Sequence, residues 1–278
     1  MDYLAFRYTR TKYKVPIGYN GKIERVEPND IEKKLKCKGD AIFLSGGLDS
    51  SLLAAINKPK MAYVATFPGY ESEFPWAVQV ASYLNIDLTP IEITKEKYLS
   101  TLEYLIKQKG DGLHPNEPCL YLIAKEAKKA GYKTMISGEG ADGLFGGYTK
   151  LLTGDFMKDE ATFRERYLQT DTGIEIPFEK WQEWGMYRFL LEIHTPGLID
   201  RAYNACHAAG VSVVFPYLEK GIPQMMWEAP LSQKIDKPIL KEIATKYLPL
   251  DIIYREKIGF PVPWDVKEFL KFNKEIGW

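Results

Sequence analysis

No stretch of this chain approaches the roughly 18 consecutive apolar residues of a membrane span, so no membrane partner is expected. The opening Met1-Asp2-Tyr3-Leu4-Ala5-Phe6-Arg7 lacks the apolar run of a signal peptide. Cysteine is scarce: Cys37, Cys119 and Cys206 are an odd number with no metal-like spacing. That argues against a disulfide framework and fits a reducing compartment, so a cytoplasmic protein is expected. Excess charge is missing as well. Lysine plus arginine is 37 and aspartate plus glutamate is 37, which gives no electrostatic reason to expect a nucleic-acid or acidic-membrane partner. Internal repeats, low-complexity segments and the G-x-x-x-x-G-K-[ST] loop are absent, and the last absence disfavours a P-loop NTPase. What is present is ordinary globular composition, 45% hydrophobic and 27% charged over 278 residues, enough for one large domain or two small ones.

Residues 1–39 read as a short extension, with Asn20-Gly21 as a hairpin turn between residues 14–19 and 22–26. From residue 40 to 278 the chain reads as one α/β domain. Asp40-Ala41-Ile42-Phe43-Leu44 is a buried parallel strand feeding a glycine turn. Strands are expected again at Met61–Phe67, Leu88–Ile93 and Lys133–Ile136. Helices are expected at Ser50–Ile56, Glu73–Leu84, Lys95–Lys107, Glu117–Ala130, 199–210 and 238–247. Alternating strands and helices predict a mostly parallel sheet of about five strands, helices on both faces, and a helical C-terminal half. Residues 150–195, rich in charge and aromatics, give only weak helical patterns.

Strand, then Ser45-Gly46-Gly47-Leu48-Asp49-Ser50-Ser51, then helix is a phosphate-binding arrangement. Glycines bring backbone N–H groups close to an anion, the helix N-terminus adds its dipole, and three serines add hydroxyls. Asp49 would repel phosphate by itself; it makes sense as a ligand of Mg²⁺, which takes carboxylate and phosphate oxygens together. The plain alternative is a strand–helix turn with an aspartate cap.

This loop resembles the pyrophosphate-binding loop of the ATP pyrophosphatases, which include argininosuccinate synthetases, GMP synthetases and tRNA-modifying enzymes. A second turn is more specific. Residues 137–148, Ser-Gly-Glu-Gly-Ala-Asp-Gly-Leu-Phe-Gly-Gly-Tyr, resemble the synthetase domain of asparagine synthetase B and its relative β-lactam synthetase, matching the family pattern at eleven of twelve positions. The segments Asp236–Lys241 and Leu248–Pro263 resemble the family's closing segment, and Asp200-Arg201 with Gly210–Glu219 resemble its Asp-Arg helix and its Gly-Val-Glu-x-Arg-x-Pro-Phe-Leu-Asp segment.

The resemblance covers roughly residues 40–264 and implies an adenine nucleotide α-hydrolase-like fold. It implies ATP held by Phe43, Ser45, Gly46, Gly47, Asp49, Ser50, Ser51, Ala65, Ser137 and Gly138. Mg²⁺ would sit on Asp49 and Asp142, with Glu139 and Lys257 catalytic. The alternative for Glu139 and Asp142 is that they cap helices or pair with lysines. The implied reaction joins a small-molecule carboxylate to ammonia or an amine through an acyl-adenylate, releasing AMP and pyrophosphate. Aspartate with ammonia leads. Another carboxylate, as in β-lactam synthetases, and an inactive nucleotide-binding module are the rivals. Four positions depart from the family pattern: Gly143 and Ser212 stand for glutamates, Val214 for arginine and Glu219 for aspartate. They put the acceptor in doubt. Asp2 follows Met1 where the family has its N-terminal cysteine, and only about 40 residues precede the first loop. A glutaminase is therefore expected only as a separate subunit.

Overall fold

Three residues, Ala41–Phe43 (β1), form the central strand, and their apolar character follows from neighbours on both sides. In the computed structural model, which describes residues 25–109, 113–154, 161, 178–256 and 262–264, five strands pair in parallel in the order β3-β2-β1-β4-β5. The others are Met61–Thr66 (β2), Asp87–Glu92 (β3), Thr134–Ile136 (β4) and Ser212–Val214 (β5). Ala41 pairs with both Met61 and Met135, and Ile42 with both Ala62 and Ile136. The chain runs outward from β1 through β2 to β3, then returns to place β4 on β1's other side. That reversal makes the gap beyond β1 and β4 a topological switch point, where open parallel sheets bind ligands.

The helices are Pro28–Lys34 (α1), Leu48–Asn57 (α2), Phe74–Leu84 (α3), Lys95–Lys109 (α4) and Glu117–Lys129 (α5) in the first part of the chain. Then come Ala141–Leu144 (α6), Thr149–Thr153 (α7) and Phe178–Phe189 (α8), bent at Gly185. A π-helical turn, Leu190–His194, leads into Thr195–Ala208 (α9), and Ile222–Glu228 (α10), Pro238–Ala244 (α11) and Leu250–Ile253 (α12) follow. The expected α/β architecture and the helical second half are both present. The sheet has the expected five strands, and the fifth is Ser212-Val213-Val214, a segment with no strand pattern of its own in the sequence. The hairpin expected around Asn20-Gly21 lies outside the described residues.

Two compact units result. Among the described residues, the sheet unit takes those within 32–138, 201–216 and 240–264; the second unit takes those within 25–31, 139–200 and 217–239. In the sheet unit α2 packs on β1, and α3 and α5 pack on β2 and β3. Ile42, Leu52, Leu53, Ala62, Val80, Leu102 and Ile136 are fully buried there. In the second unit the Tyr187 hydroxyl ties α8 to the carbonyls of Leu144 at 2.8 Å and Met226 at 3.3 Å. Phe145 meets Tyr217 edge-on at 5.8 Å. Among the described residues no helix is long and apolar enough to cross a membrane.

One polar tie in the sheet unit is pH-dependent. Glu32 accepts from Lys246 at 2.5 Å and from the Tyr247 hydroxyl. These partners hold its carboxyl below the ordinary 4.5. A depressed folded-state value contributes stability that is present above 4.5 and lost as pH falls through the folded value. Glu32→Gln should therefore flatten the decline of unfolding free energy between pH 5 and pH 3 (roughly the range in which a carboxylate titrates), measured by urea denaturation. An unchanged slope would show that the tie carries no linkage.

Candidate active site

The first turn is held by its own hydroxyls. The Ser45 N–H donates to Ser50 Oγ at 3.2 Å, the two serine oxygens lie 3.0 Å apart, and the Gly47 N–H donates to Ser45 Oγ at 3.2 Å. Ser50 Oγ in turn donates to the Gly47 carbonyl at 3.3 Å. Two of the three serines thus shape the loop, while Ser51 is fully buried in α2. Gly46 has φ +70°, and a Cβ there would stand 2.4 Å from the Trp76 carbonyl carbon and 2.6 Å from the Ala77 nitrogen. Only glycine satisfies both the backbone angle and that approach. Asp49 occupies the first turn of α2, ten residues long, where the helix dipole favours negative charge.

Phe43 ends β1, and Leu44 donates to the Tyr63 carbonyl at 2.9 Å, which keeps Ala65 two residues further along β2. Ser137 follows β4 and donates to the Val214 carbonyl at 3.0 Å. A Cβ on Gly138 would lie 3.3 Å from the Ser50 nitrogen. The residues expected to hold the nucleotide therefore gather at the carboxyl ends of β1, β2 and β4.

The second turn is divided: Ser137 and Gly138 belong to the sheet unit, and Glu139 onward to the other. Glu139 is half-buried. Asp142, in α6, forms an ion pair with Lys237 at 2.5 Å, both side chains largely buried. Of the two readings left open for Asp142, pairing with a lysine is realised in this structure. Lys257 lies outside the described residues. Among the described residues no group of three or more His, Cys, Asp or Glu side chains is arranged to hold a metal. A divalent ion here would take most of its ligands from phosphate and water, the usual habit of magnesium beside a nucleotide.

Residues 41–276 match the family model described as Asparagine synthase. The chain belongs to the asparagine synthase family. It is 40% identical over 112 residues to "Asparagine synthetase [glutamine-hydrolyzing] 1" of Bacillus subtilis (strain 168), covering 38% of this chain and 18% of that protein. It is 26% identical over 247 residues to "Asparagine synthetase B [glutamine-hydrolyzing]" of Escherichia coli (strain K12), covering 79% of this chain and 40% of that protein. "Asparagine synthetase [glutamine-hydrolyzing] 1" of Arabidopsis thaliana is 25% identical over 273 residues, 86% of this chain and 42% of that protein. The chain thus spans less than half the length of these relatives.

Other charged groups stand out only in the structure. Arg255 lies against the first turn, its Nε donating to the Gly46 carbonyl at 3.2 Å. Glu117, 2% exposed, is pushed by burial up to about 7, while Lys109 at 3.6 Å and Arg201 pull it down. In the second unit a cavity of about 540 Å³ is lined in part by Tyr187, Arg188, Trp227 and Lys234, and by no residue of either glycine turn. Burial brings the Lys234 amine down to about 8.

The departures from the asparagine synthase pattern have separate physical settings. Ser212 and Val214, two of the positions expected to depart from the pattern, alternate with buried Val213 and share one face of β5. Gly143 is a packing matter. A Cβ on it would fall 2.0 Å from Thr195 Oγ1 and 3.2 Å from Thr195 Cβ, and Thr195 is 3% exposed. Gly143→Ala should cost about 1–3 kcal/mol, the scale of an overpacked core. Thr195→Ala in the same chain should recover most of that loss. A double-mutant cycle read by chemical denaturation checks it, and additive effects would deny the contact.

Proposed function

We propose that the chain catalyses ATP-dependent amide formation through an acyl-adenylate, as a carbon–nitrogen ligase. The observation carrying this reading is the pairing of β1 with β4, because it gathers Ser45–Ser51 with Ser137-Gly138 at the sheet's switch point. The family membership supports the same conclusion. A substrate carboxylate attacks the α-phosphorus of ATP, the bond to the β-phosphate oxygen breaks, and pyrophosphate leaves. Ammonia or an amine then attacks the acyl carbon, expels AMP and sheds a proton, giving the amide. Phe43, Ala65, Ser137 and Gly138 hold the adenosine by backbone contact, and Ser45–Ser51 cradle the phosphates.

Asp49 is the proposed carboxylate for Mg²⁺, and the family motif nominates Asp142 as the other. Magnesium, when bound, neutralises phosphate charge. Lys257 balances the charge of the leaving pyrophosphate, a task suited to a compact ammonium. Glu139 orients the amine or the acyl group. Positioning and electrostatics carry most of the rate. Aspartate with ammonia is the leading substrate pair. The uncharged Ser212 and Val214 favour a second reading, a different acceptor carboxylate with a free or intramolecular amine.

Purified protein with MgATP should release pyrophosphate in the presence of one member of a carboxylate panel, aspartate included. Asp49→Asn should abolish that release with the fold intact, and Lys257→Ala should slow it about a hundredfold or more. Full activity of Asp49→Asn would remove the metal assignment. No pyrophosphate with any carboxylate would leave a nucleotide-binding module.

The nitrogen donor follows from the thiols. Cys119 and Cys206 are buried, and burial pushes both thiols far above their usual range, the reverse of an activated nucleophile. Cys37 is half-buried and in no disulfide. This chain by itself should therefore make amide from ammonium, and glutamine should not replace it; a separate glutaminase subunit would be the source of ammonia from glutamine. Glutamate appearing from glutamine in step with amide synthesis by the isolated chain would overturn this.

A further inference from the structure

Arg255 follows α12 and reaches back to the first glycine turn. Its Nε donates to the Gly46 carbonyl at 3.2 Å and its Nη1 to the Glu256 carbonyl at 3.2 Å. The guanidinium lies over the Trp76 ring, 5.1 Å from the centroid. The side chain is 4% exposed. Nη2 is shielded from water and makes no hydrogen bond. The Glu73 carboxylate is 3.8 Å away, beyond hydrogen-bond reach. Nη2 faces the turn itself: a Cβ on Gly47 would stand 3.4 Å from it.

A guanidinium is always charged and carries five N–H donors in a rigid fork. Leaving one buried donor unused is costly, so its surroundings are built for an acceptor they do not themselves supply. The acceptor belongs beside Gly46-Gly47 and the start of α2, where backbone amides and the helix dipole favour an anion. It must accept from several directions at once, because guanidinium and turn approach it from different sides. Tetrahedral phosphate oxygens do that, and paired phosphates do it best. Trp76 supports the face of the fork.

We infer that Arg255 is a polyphosphate-binding residue whose Nη2 takes a phosphate oxygen at the Ser45–Ser51 turn. The ligand class is a phosphoanhydride, either free pyrophosphate or the β,γ end of a nucleoside triphosphate. This rests on the reading that the first turn holds the phosphates of ATP. It does not depend on turnover.

The test is calorimetric binding to the full chain of three probes: inorganic pyrophosphate, a non-hydrolysable ATP analogue and AMP. Arg255→Lys keeps the charge and loses the fork. It should weaken pyrophosphate or the analogue about tenfold to a hundredfold, the scale of a charge-assisted hydrogen bond, and leave AMP unchanged. Weakening of both phosphoanhydrides marks free pyrophosphate as a ligand; weakening of the analogue alone marks the triphosphate end. Glu73→Gln leaves the arginine in place and removes its competing carboxylate, so phosphoanhydride binding should tighten. That arm keeps the inference testable if Arg255→Lys fails to fold. Equal loss of all three probes in a folded Arg255→Lys would make the residue a loop prop and overturn the inference. So would undiminished phosphoanhydride binding in that variant, or weaker binding in Glu73→Gln. Amide synthesis plays no part in these readouts, so a wrong ligase reading shows as binding without product.

Discussion

The close approach of α3 to Gly46 is the constraint on which the first turn depends. With 2.4 Å between an added Cβ and the Trp76 carbonyl carbon, no side chain fits, and the loop must fold back with φ +70°. Because it folds back, the Ser45 and Ser50 hydroxyls meet and lock each other. The Gly46 carbonyl is then turned toward Arg255. Helix packing, loop shape and the arginine's position are thus consequences of one backbone contact rather than independent arrangements.

Much of the fold was legible because buried parallel strands advertise themselves. Ala41-Ile42-Phe43 and the run from Met61 are continuous apolar stretches, and their observed limits stay within one or two residues of those expected. The fifth strand was not, since Ser212-Val213-Val214 is three residues long and half its face is exposed. So short an element has no periodicity to read, and pairing with β4 defines it. The strand–turn–helix at Ser45–Ser51 was legible from its residue types alone. Arg255 was not, because an arginine two residues after a short helix has the same local sequence whether it faces water or the turn 209 positions earlier.

The second turn shows where a motif stops being informative. Its letters name Asp142 but say nothing of Lys237, 95 positions later by subtraction, whose ammonium meets that carboxylate at 2.5 Å. They also present Gly143 as a lost charge. The surroundings give it a different meaning, since Thr195 fills the space a side chain would need. A departure from a family pattern can therefore reflect neighbouring volume rather than altered chemistry, and Gly143 is of that kind. Ser212 and Val214 have a different setting, on either side of buried Val213 in the short strand β5.

The strand order also decides when the site is assembled. β1, α2 and β2 are consecutive, so the Ser45–Ser51 turn closes through short loops and local contacts. β4 joins β1 from far along the chain: Asp40 and Lys133 are in contact across 93 positions. Closing so long a loop precedes any gain from the pairing, and such non-local parallel contacts slow folding. Ser137 and Gly138 reach the switch point only with that pairing, so the two turns come together only where β4 has joined β1. The meeting of the two turns is then coupled to the long-range closure of the central sheet, and any ligand that needs both turns would report on whether that sheet has formed.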